Sequence, residues 1–429
     1  MYPIYPKLSV NIVITAKDDR ILYLHPDYPD WITVNQRYKK LFDIFDGKHS
    51  VTQITEFINS NYENDANLLN DQIKKLFQTS LLFEHNIQNT KLDWKPKELK
   101  PRYIYLTLTD DCNLNCAYCY AKERTRVNSL ALPKWISFID KLLALSNNII
   151  FNFTGGEPLV VPFIFELAEY INRKGSSCIL LTNGTRIHNI DIANKIANNF
   201  QTIKISLDSI NDDINSVLRG KNTLQKVKRS IELLIKVKAN YIVVATITKL
   251  NKDCIEEFAD YFNNQVSFQP FYKMGSGKRL PYLYITGNEY YNALTKNGLF
   301  KYLHQFHNSI HDFRMKPSKR CAMATEELSI APNGDIYPCH MLHYDELRIG
   351  NIDQVHSLEN TYRNSKILSD LREMTVDSIN SCKKCVVRNF CGGGCRARID
   401  FYQKGLKGKD QFCIFEKRQI LDALLYSYG

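Results

Sequence analysis

Nowhere in the chain of 429 residues do 18 apolar residues follow one another, so no transmembrane helix is expected. The opening stretch "MYPIYPKLSVNIVITAKDD" lacks a basic segment followed by an apolar one, so no secretory signal is expected either. Both absences point to a cytoplasmic chain with no membrane partner. Long basic runs are missing too. The formal charge of +11 is dispersed, with nothing longer than "KRC" or "KRQ", which argues against nucleic acid and leaves a hint of an acidic peptide partner. Internal repeats and low-complexity tracts are absent. A composition of 44% hydrophobic and 24% charged residues is that of an ordinary globular protein. At about 150 residues per domain the length suggests about three domains.

What the chain does have is cysteine, twelve in all. Three fall within 112–119 and seven between 321 and 413, leaving Cys178 and Cys254 isolated as expected small buried hydrophobes. In a reducing compartment, clustered thiols are metal ligands or catalysts more often than disulfides. The first group, "DDCNLNCAYCYAK", places Cys112, Cys116 and Cys119 at spacing C-x3-C-x2-C. Structural zinc prefers four ligands in paired C-x2-C units. Three thiolates instead suit an iron–sulfur cube whose fourth iron stays open for a substrate. Zinc completed from elsewhere in the chain is the alternative.

Three segments are expected. Residues 1–90 open with the strand-like runs "KLSVNIVITAK" and "RILYLHP". Capping-box spacing follows at Thr33/Gln36 and Ser50/Gln53. A first helix would carry Val34, Tyr38, Leu41, Phe42 and Phe45 and stop at Gly47. A second would carry Ile54, Phe57 and Ile58, and a third Leu68, Leu69, Ile73, Leu76 and Phe77. Together these make a small winged-helix-like module. A linker at 91–102 is read from the polar, proline-containing "NTKLDWKPKELKPR".

Residues 103–320 alternate strand and helix, with strands expected at "YIYLTLT", "NIIFNFT", "CILLTN", "TIKISLD", "YIVVATIT" and "VSFQPF". Six such units predict an α/β fold with a parallel sheet, a partial (β/α)6 TIM-like barrel whose chemistry lies at the C-terminal strand ends. The first cysteines follow the first strand. "FTGGEP" (Thr154 to Pro158) follows the second, where two glycines admit close approach to the backbone and Glu157 offers a carboxylate to a cationic group. Residues 321–429 hold the remaining cysteine group and end in an apolar-periodic helix.

The cysteine loop and the Gly-Gly-Glu-Pro turn, about 40 residues apart, together resemble the radical S-adenosylmethionine superfamily. That resemblance implies a 4Fe–4S cluster on Cys112, Cys116 and Cys119, with its open iron taking the amino and carboxylate groups of S-adenosyl-L-methionine. It implies that Tyr118 lies against the adenine and that Gly155, Gly156 and Glu157 hold the amino group. Asn183 in "LLTNGT" and Ser206 and Asp208 in "ISLDS" would contact ribose and carboxylate, and Arg219 in "VLRGKN" would pair with the carboxylate. The implied chemistry is a 5′-deoxyadenosyl radical that removes a hydrogen atom from a strong C–H bond.

From Cys321 the pattern runs C-x12-G-x4-C through Gly334 to Cys339. It continues C-x2-C-x5-C-x3-C at Cys382, Cys385, Cys391 and Cys395, and ends at Cys413. This resembles the SPASM auxiliary-cluster extension, with a zinc ribbon on the middle four as the alternative. The resemblance assigns Cys382, Cys385, Cys391 and Cys413 to one 4Fe–4S cluster and Cys321, Cys339 and Cys395 to another, three clusters in all. No eighth cysteine precedes Cys321 in "FRMKPSKRC", so the second auxiliary centre has an open iron or a non-cysteine ligand.

The stretch "ILYLHPDYPDWITVNQRYKKLFDIFDGKHSVTQITEFI" resembles a PqqD-like recognition element of ribosomal peptide biosynthesis. In that family the leader of a precursor peptide adds as a strand to the sheet edge. A winged-helix DNA reader is its rival, but residues 1–95 hold 11 Lys and Arg against 12 Asp and Glu, a charge of −1 that disfavours phosphate binding. The three resemblances together imply a maturase of ribosomal peptides, similar to those of sactipeptides, that forms Cys sulfur-to-carbon thioethers. Its electron donor would be a flavodoxin or ferredoxin. Carbon–carbon or carbon–oxygen cross-linking, a sulfatase-type protein modifier and a non-catalytic metal-bound regulator are the alternatives.

Overall fold

The computed structural model describes residues 5–89, 100–124, 126–296, 317–354 and 357–426. Most of the linker expected at 91–102, and residues 297–316 of the expected barrel segment, lie outside that set. The amino-terminal part is a three-stranded antiparallel sheet, β1 (Val13–Lys17), β2 (Arg20–His25) and β3 (Asp30–Asn35), in the order β1-β2-β3. It is followed by α1 (Lys39–Asp43), α2 (Val51–Asn61), α3 (Ala66–Thr79) and α4 (Glu84–Asn89). The box at Ser50 and Gln53 forms as its spacing predicts: the Ser50 hydroxyl accepts from Gln53 N at 3.2 Å, and Gln53 accepts from Ser50 N at 2.8 Å.

The box expected at Thr33 and Gln36 does not form. Thr33 and Val34 belong to β3, whose backbone groups pair with β2 from Asp30 to Asn35, and the Thr33 hydroxyl donates instead to Leu424 O at 2.8 Å. Cross-strand pairing there overrides a local helical pattern.

The central part contains the six expected parallel strands: β4 (Tyr103–Thr107), β5 (Ile150–Thr154), β6 (Ser177–Thr182), β7 (Thr202–Ser206), β8 (Tyr241–Ile247) and β9 (Val266–Pro270). They lie side by side in chain order, every neighbouring pair parallel. Between them run α5 (Leu132–Leu145), α6 (Ile164–Arg173), α7 (Ile190–Asn199), the pair α8 (Asp212–Arg219) and α9 (Thr223–Lys236), and α10 (Ile255–Tyr261). Strand residues alternate with period two. Ile104, Leu106, Phe151, Phe153, Leu180, Ile203, Ile205, Val243 and Ala245 join Trp135, Leu142, Leu167, Ile196 and Leu234 of the helices in one core. The opposite strand face is richer in polar groups, among them Tyr105, Asn152, Lys204, Ser206 and Thr246.

The sheet does not end at β4. Strand β10 (Glu327–Ile330) adds parallel to β4 with Glu327 opposite Tyr103, and β11 (Asp335–Tyr337) and β12 (Gly350–Asn351) extend it antiparallel. Gly334 closes the β10–β11 turn at φ +86°, in the Asn-Gly dipeptide that favours such hairpins. The helix α11 (Gly287–Thr295) precedes this extension, and α12 (Leu358–Asn364), α13 (Lys366–Arg372), α14 (Arg388–Cys391), α15 (Arg396–Gln403) and α16 (Cys413–Tyr426) follow it.

Strand β2 is buried on both faces. Ile21 and Tyr23 enter the core of the amino-terminal part, whereas Leu22 and Leu24 pack on Val387, Phe390, Ile420, Leu424 and Leu425 of the carboxy-terminal part.

Candidate active site and cysteine centres

The loop after β4 carries Cys112, Cys116 and Cys119 to the C-terminal ends of the strands. Its base is fixed by the turn after β5: Gly156 N donates to Thr109 O at 2.7 Å and Glu157 N to Asp111 O at 2.8 Å. A Cβ on Gly155 would lie 2.3 Å from Thr109 O, and one on Gly156 2.1 Å from Asp111 O. The glycines therefore admit the cysteine loop itself, a reason that spacing alone did not reveal. A second turn, after β9, grips the loop from the other side. The Ser276 hydroxyl donates to Ala117 O at 2.7 Å, and a Cβ on Gly275 would meet Cys119 O at 2.3 Å. The Gly-Ser-Gly run at 275–277 was the available signal, and sequence reasoning missed it.

The three thiols converge and are free of disulfides. Burial pushes Cys116 up to about 11, with Cys119 and Cys112 adding to it and Arg219 opposing it. Cys112 is raised too, by burial first and then by Glu157 and Cys119, and its sulfur accepts from Leu114 N at 3.4 Å and Asn183 Nδ2 at 3.8 Å. Three thiols held together in this way are a donor set suited to a metal, which binds cysteine as thiolate.

Around them sit the other sequence-predicted residues. The buried Glu157 carboxylate accepts from Thr182 Oγ1 (2.7 Å), Asn183 N (2.8 Å) and Leu159 N (3.0 Å), so it braces the end of β5 against that of β6. Burial raises its pKa, against these donors. Asn183 also donates to Asn113 Oδ1 at 2.9 Å. Arg219 is no surface residue. Asn211 caps α8 by accepting from Asp213 N and Ile214 N, Gly220 ends the helix at φ +103°, and Arg219 turns inward from the last position. Its guanidinium lies 2.8 Å from the fully buried Asp208 carboxylate and donates to Tyr118 Oη at 3.0 Å. Tyr118 donates to Asp208 Oδ2 at 2.5 Å. Asp208 also accepts from Thr246 N at 2.9 Å, which ties β7 to β8. Ser206 ends β7 on the polar face. Lys204, two residues earlier on that face, was not singled out from sequence; burial lowers its pKa, and no carboxylate partner faces it among the described residues.

The seven later cysteines gather into two groups. Cys382, Cys385, Cys391 and Cys413 lie together: burial first, and then Cys385 beside them, raises the pKa of Cys382, Cys391 and Cys413. Cys321, Cys339 and Cys395 form the other group, with Cys395 pushed up to about 12 by burial. Between the groups the buried Arg398 donates to Asp410 Oδ1 at 2.7 Å and to Glu416 Oε1 at 3.1 Å, and Cys395 N donates to Asp410 Oδ2 at 2.9 Å.

Residues 106–262 match the family model of the radical SAM superfamily, and residues 321–386 match that of the SPASM iron–sulfur cluster-binding domain. The chain carries a radical SAM domain followed by a SPASM domain. It is 27% identical over 333 residues to the mycofactocin maturase MftC of Mycolicibacterium smegmatis, covering 72% of this chain and 81% of that protein. Its fold is that of AdoMet-bound anSMEcpe (TM-score 0.63, 20% identity, 76% of this chain and 95% of the other). It is also that of Streptococcus suis SuiB bound to the precursor peptide SuiA (TM-score 0.58, 17% identity, 95% and 99%). The SuiB likeness reaches over the amino-terminal part of the chain as well. Within the radical SAM and SPASM domains, iron–sulfur clusters and S-adenosylmethionine are the cofactors that the converging thiols fit.

Proposed function

We propose that this radical SAM–SPASM chain is a peptide maturase that installs Cys sulfur-to-carbon thioether cross-links in a ribosomally made precursor. Cys112, Cys116 and Cys119 would hold the 4Fe–4S cluster that binds S-adenosylmethionine. Tyr118, Gly155, Gly156, Glu157, Asn183, Ser206, Asp208 and Arg219 would form the cofactor's walls. When bound, cluster and cofactor supply a 5′-deoxyadenosyl radical that takes a hydrogen atom from substrate. The protein's part is positioning and exclusion of water. The buried Tyr118–Asp208–Arg219 network keeps one side of the thiol group rigid, and the turns at 155–157 and 275–277 fix the loop.

Cys382, Cys385, Cys391 and Cys413, and separately Cys321, Cys339 and Cys395, would hold two auxiliary clusters that return the electron, with a flavodoxin or ferredoxin as the outside donor. Residues 1–90 would bind the leader by strand addition to the β1–β3 sheet, residues 103–320 would act as the radical SAM unit and residues 321–429 as the cluster unit. A cytoplasmic site of action accords with the reducing environment such thiols need; among the described residues no helix is long and apolar enough to cross a membrane.

The single observation carrying this reading is that one sheet joins the two chemistries: β10, which opens the second cysteine region, pairs with β4, which delivers the first cysteines. Fold likeness to SuiB bound to its precursor peptide supports a peptide substrate, and the name of the MftC relative supports maturation. The test is anaerobic reconstitution with iron and sulfide, then dithionite, S-adenosylmethionine and a cysteine-bearing precursor peptide, sought first among the short reading frames next to this gene. Deoxyadenosine formation, loss of two hydrogens per link and cysteines that no longer alkylate are expected. Cross-linked product whose cysteines still alkylate would mean carbon–carbon or carbon–oxygen bonds, and no deoxyadenosine at all would overturn the enzyme reading.

A further inference from the structure

The centre formed by Cys321, Cys339 and Cys395 has three thiols and no fourth. The structure places a candidate beside it, on the strand that joins the two domains. Glu327, the first residue of β10, is largely buried, with its side chain 15% exposed. Its carboxylate accepts from His340 N at 3.0 Å and lies 2.8 Å from His340 Nδ1. Its carboxylate lies within 4.8 Å of the Cys339 sulfur, and its charge acts on both Cys339 and Cys321. The ligand atoms of Glu327, Cys339 and His340 all lie within 4.8 Å of one another, the one such grouping of potential metal ligands among the described residues. The His340 ring stacks on Tyr105 with centroids 4.0 Å apart, and Arg124 holds its carbonyl at 2.7 Å.

We propose that Glu327 is the fourth, non-cysteine ligand of the Cys321–Cys339–Cys395 centre, and that His340 is the positioning residue that orients its carboxylate. Two arguments carry this. A buried carboxylate beside thiols that become thiolates is a concentration of like charge, which a metal cation bound among them offsets beyond what His340 supplies. A ligating carboxylate is in turn usually hydrogen-bonded by an outer residue, the place His340 takes with its ring held flat on Tyr105. The centre is then closed, so a substrate thiolate finds no vacant iron there and the centre acts by accepting an electron. The inference rests on the SPASM reading of the three thiols.

The test uses full-length protein lacking Cys112, Cys116 and Cys119, reconstituted anaerobically, so that only auxiliary clusters contribute. Iron content and electron paramagnetic resonance spectra are recorded with and without potassium cyanide as a probe for an open iron. Glu327 protein is expected to show a spectrum that cyanide leaves unchanged. Glu327→Gln is expected to become cyanide-sensitive or to lose iron from one cluster, and Glu327→Cys is expected to restore insensitivity. A Glu327 spectrum that already shifts with cyanide, or one that Glu327→Gln does not alter, overturns the assignment while leaving the clusters in place. Failure of the background protein to bind iron at all would overturn the SPASM reading instead, and the two failures are thus distinct.

Discussion

The two kinds of cysteine centre are built in opposite ways. Cys112, Cys116 and Cys119 come from one loop, and the fold's task is to hold that loop still from both sides with the turns after β5 and β9. Cys321, Cys339 and Cys395 come from three segments: one precedes β10, one follows β11 and one caps α15. The first centre is a local motif placed by a barrel, whereas the second exists only once the carboxy-terminal part has folded. Removing a ligand should therefore do different things at each. Cys116→Ala should cut deoxyadenosine formation by more than the 10–100-fold typical of losing an outer-shell partner, yet leave the melting temperature nearly unchanged. Cys339→Ala should lower the melting temperature of the reconstituted protein clearly, because metal affinity there is folding energy. Equal stability losses in the two variants would erase the contrast.

Among the described residues, the amino-terminal part packs beside the remaining group, Cys382, Cys385, Cys391 and Cys413. Leu22 and Leu24 meet Val387 and Phe390, which flank Cys385 and Cys391, and Trp31 lies edge-on to Phe390 at 5.5 Å. Asn389 Nδ2 donates to Pro26 O and Asp27 O at 2.8 and 3.0 Å. Leu24→Ala leaves a cavity in this fully buried contact and should cost about 2–5 kcal/mol. Hydrogen exchange should rise in β2 and α16 while the barrel strands stay protected. Exchange rising in β4–β6 instead would show that the first centre depends on the same contact.

The rigidity of the first centre can be probed with two glycines. Gly156→Ala drives a Cβ into the Asp111 carbonyl, and overpacking of that kind costs about 1–3 kcal/mol. Gly175, at φ +81° with nothing within 4 Å of a built Cβ, bears only the left-handed backbone cost of about 1–2 kcal/mol on substitution by Ala. Urea melts would give comparable losses, but only Gly156→Ala should also reduce iron bound at Cys112, Cys116 and Cys119. Full iron loading in Gly156→Ala would mean that the loop adapts.

This difference in construction also explains what the sequence made legible. The six barrel strands were readable because each is a short β-rich run bounded by turns, and pairing in chain order needs no long-range information. The groupings of cysteines were readable as spacings. The continuation of the sheet through β10, and with it Glu327 beside Cys339, was not: parallel pairing of β10 with β4 joins segments more than two hundred positions apart, and no local pattern encodes it. Thr33 misled for the converse reason, since a sound local capping pattern lost to strand pairing with β2. Arg219 was ambiguous until α8 and its Gly220 stop turned it inward onto Asp208.

The smallest expected effect lies where the amino-terminal part meets the segment of Cys385 and Cys391, and it depends on pH. His25 ends β2 almost fully buried, accepting from Asp27 N and Tyr28 N at Nδ1, both at 3.2 Å, so the proton sits on Nε2 against Ser9 Oγ at 3.1 Å. Burial lowers its pKa below 6.5 and Arg388 lowers it further, while Asp27 and Asp30 oppose the shift. The unfolded chain therefore takes up this proton before the folded one does. Stability from His25 is fully present above about pH 6.5 and is lost as pH falls from there through the lower folded value, no more steeply than about 1.4 kcal/mol per pH unit for one proton. Protonation at Nδ1 would release the 26–28 turn that carries Asp27 to Arg388. His343, buried on Ser329 near Cys339, and His85 of the amino-terminal part are shifted in the same sense, so the wild-type slope contains all three. Thermal melts of wild type and His25→Gln across pH 5–8 separate them: the variant should lose part of the acid-side decline and keep the rest. A slope identical in the two proteins would place the acid sensitivity at groups other than His25, such as His85 and His343.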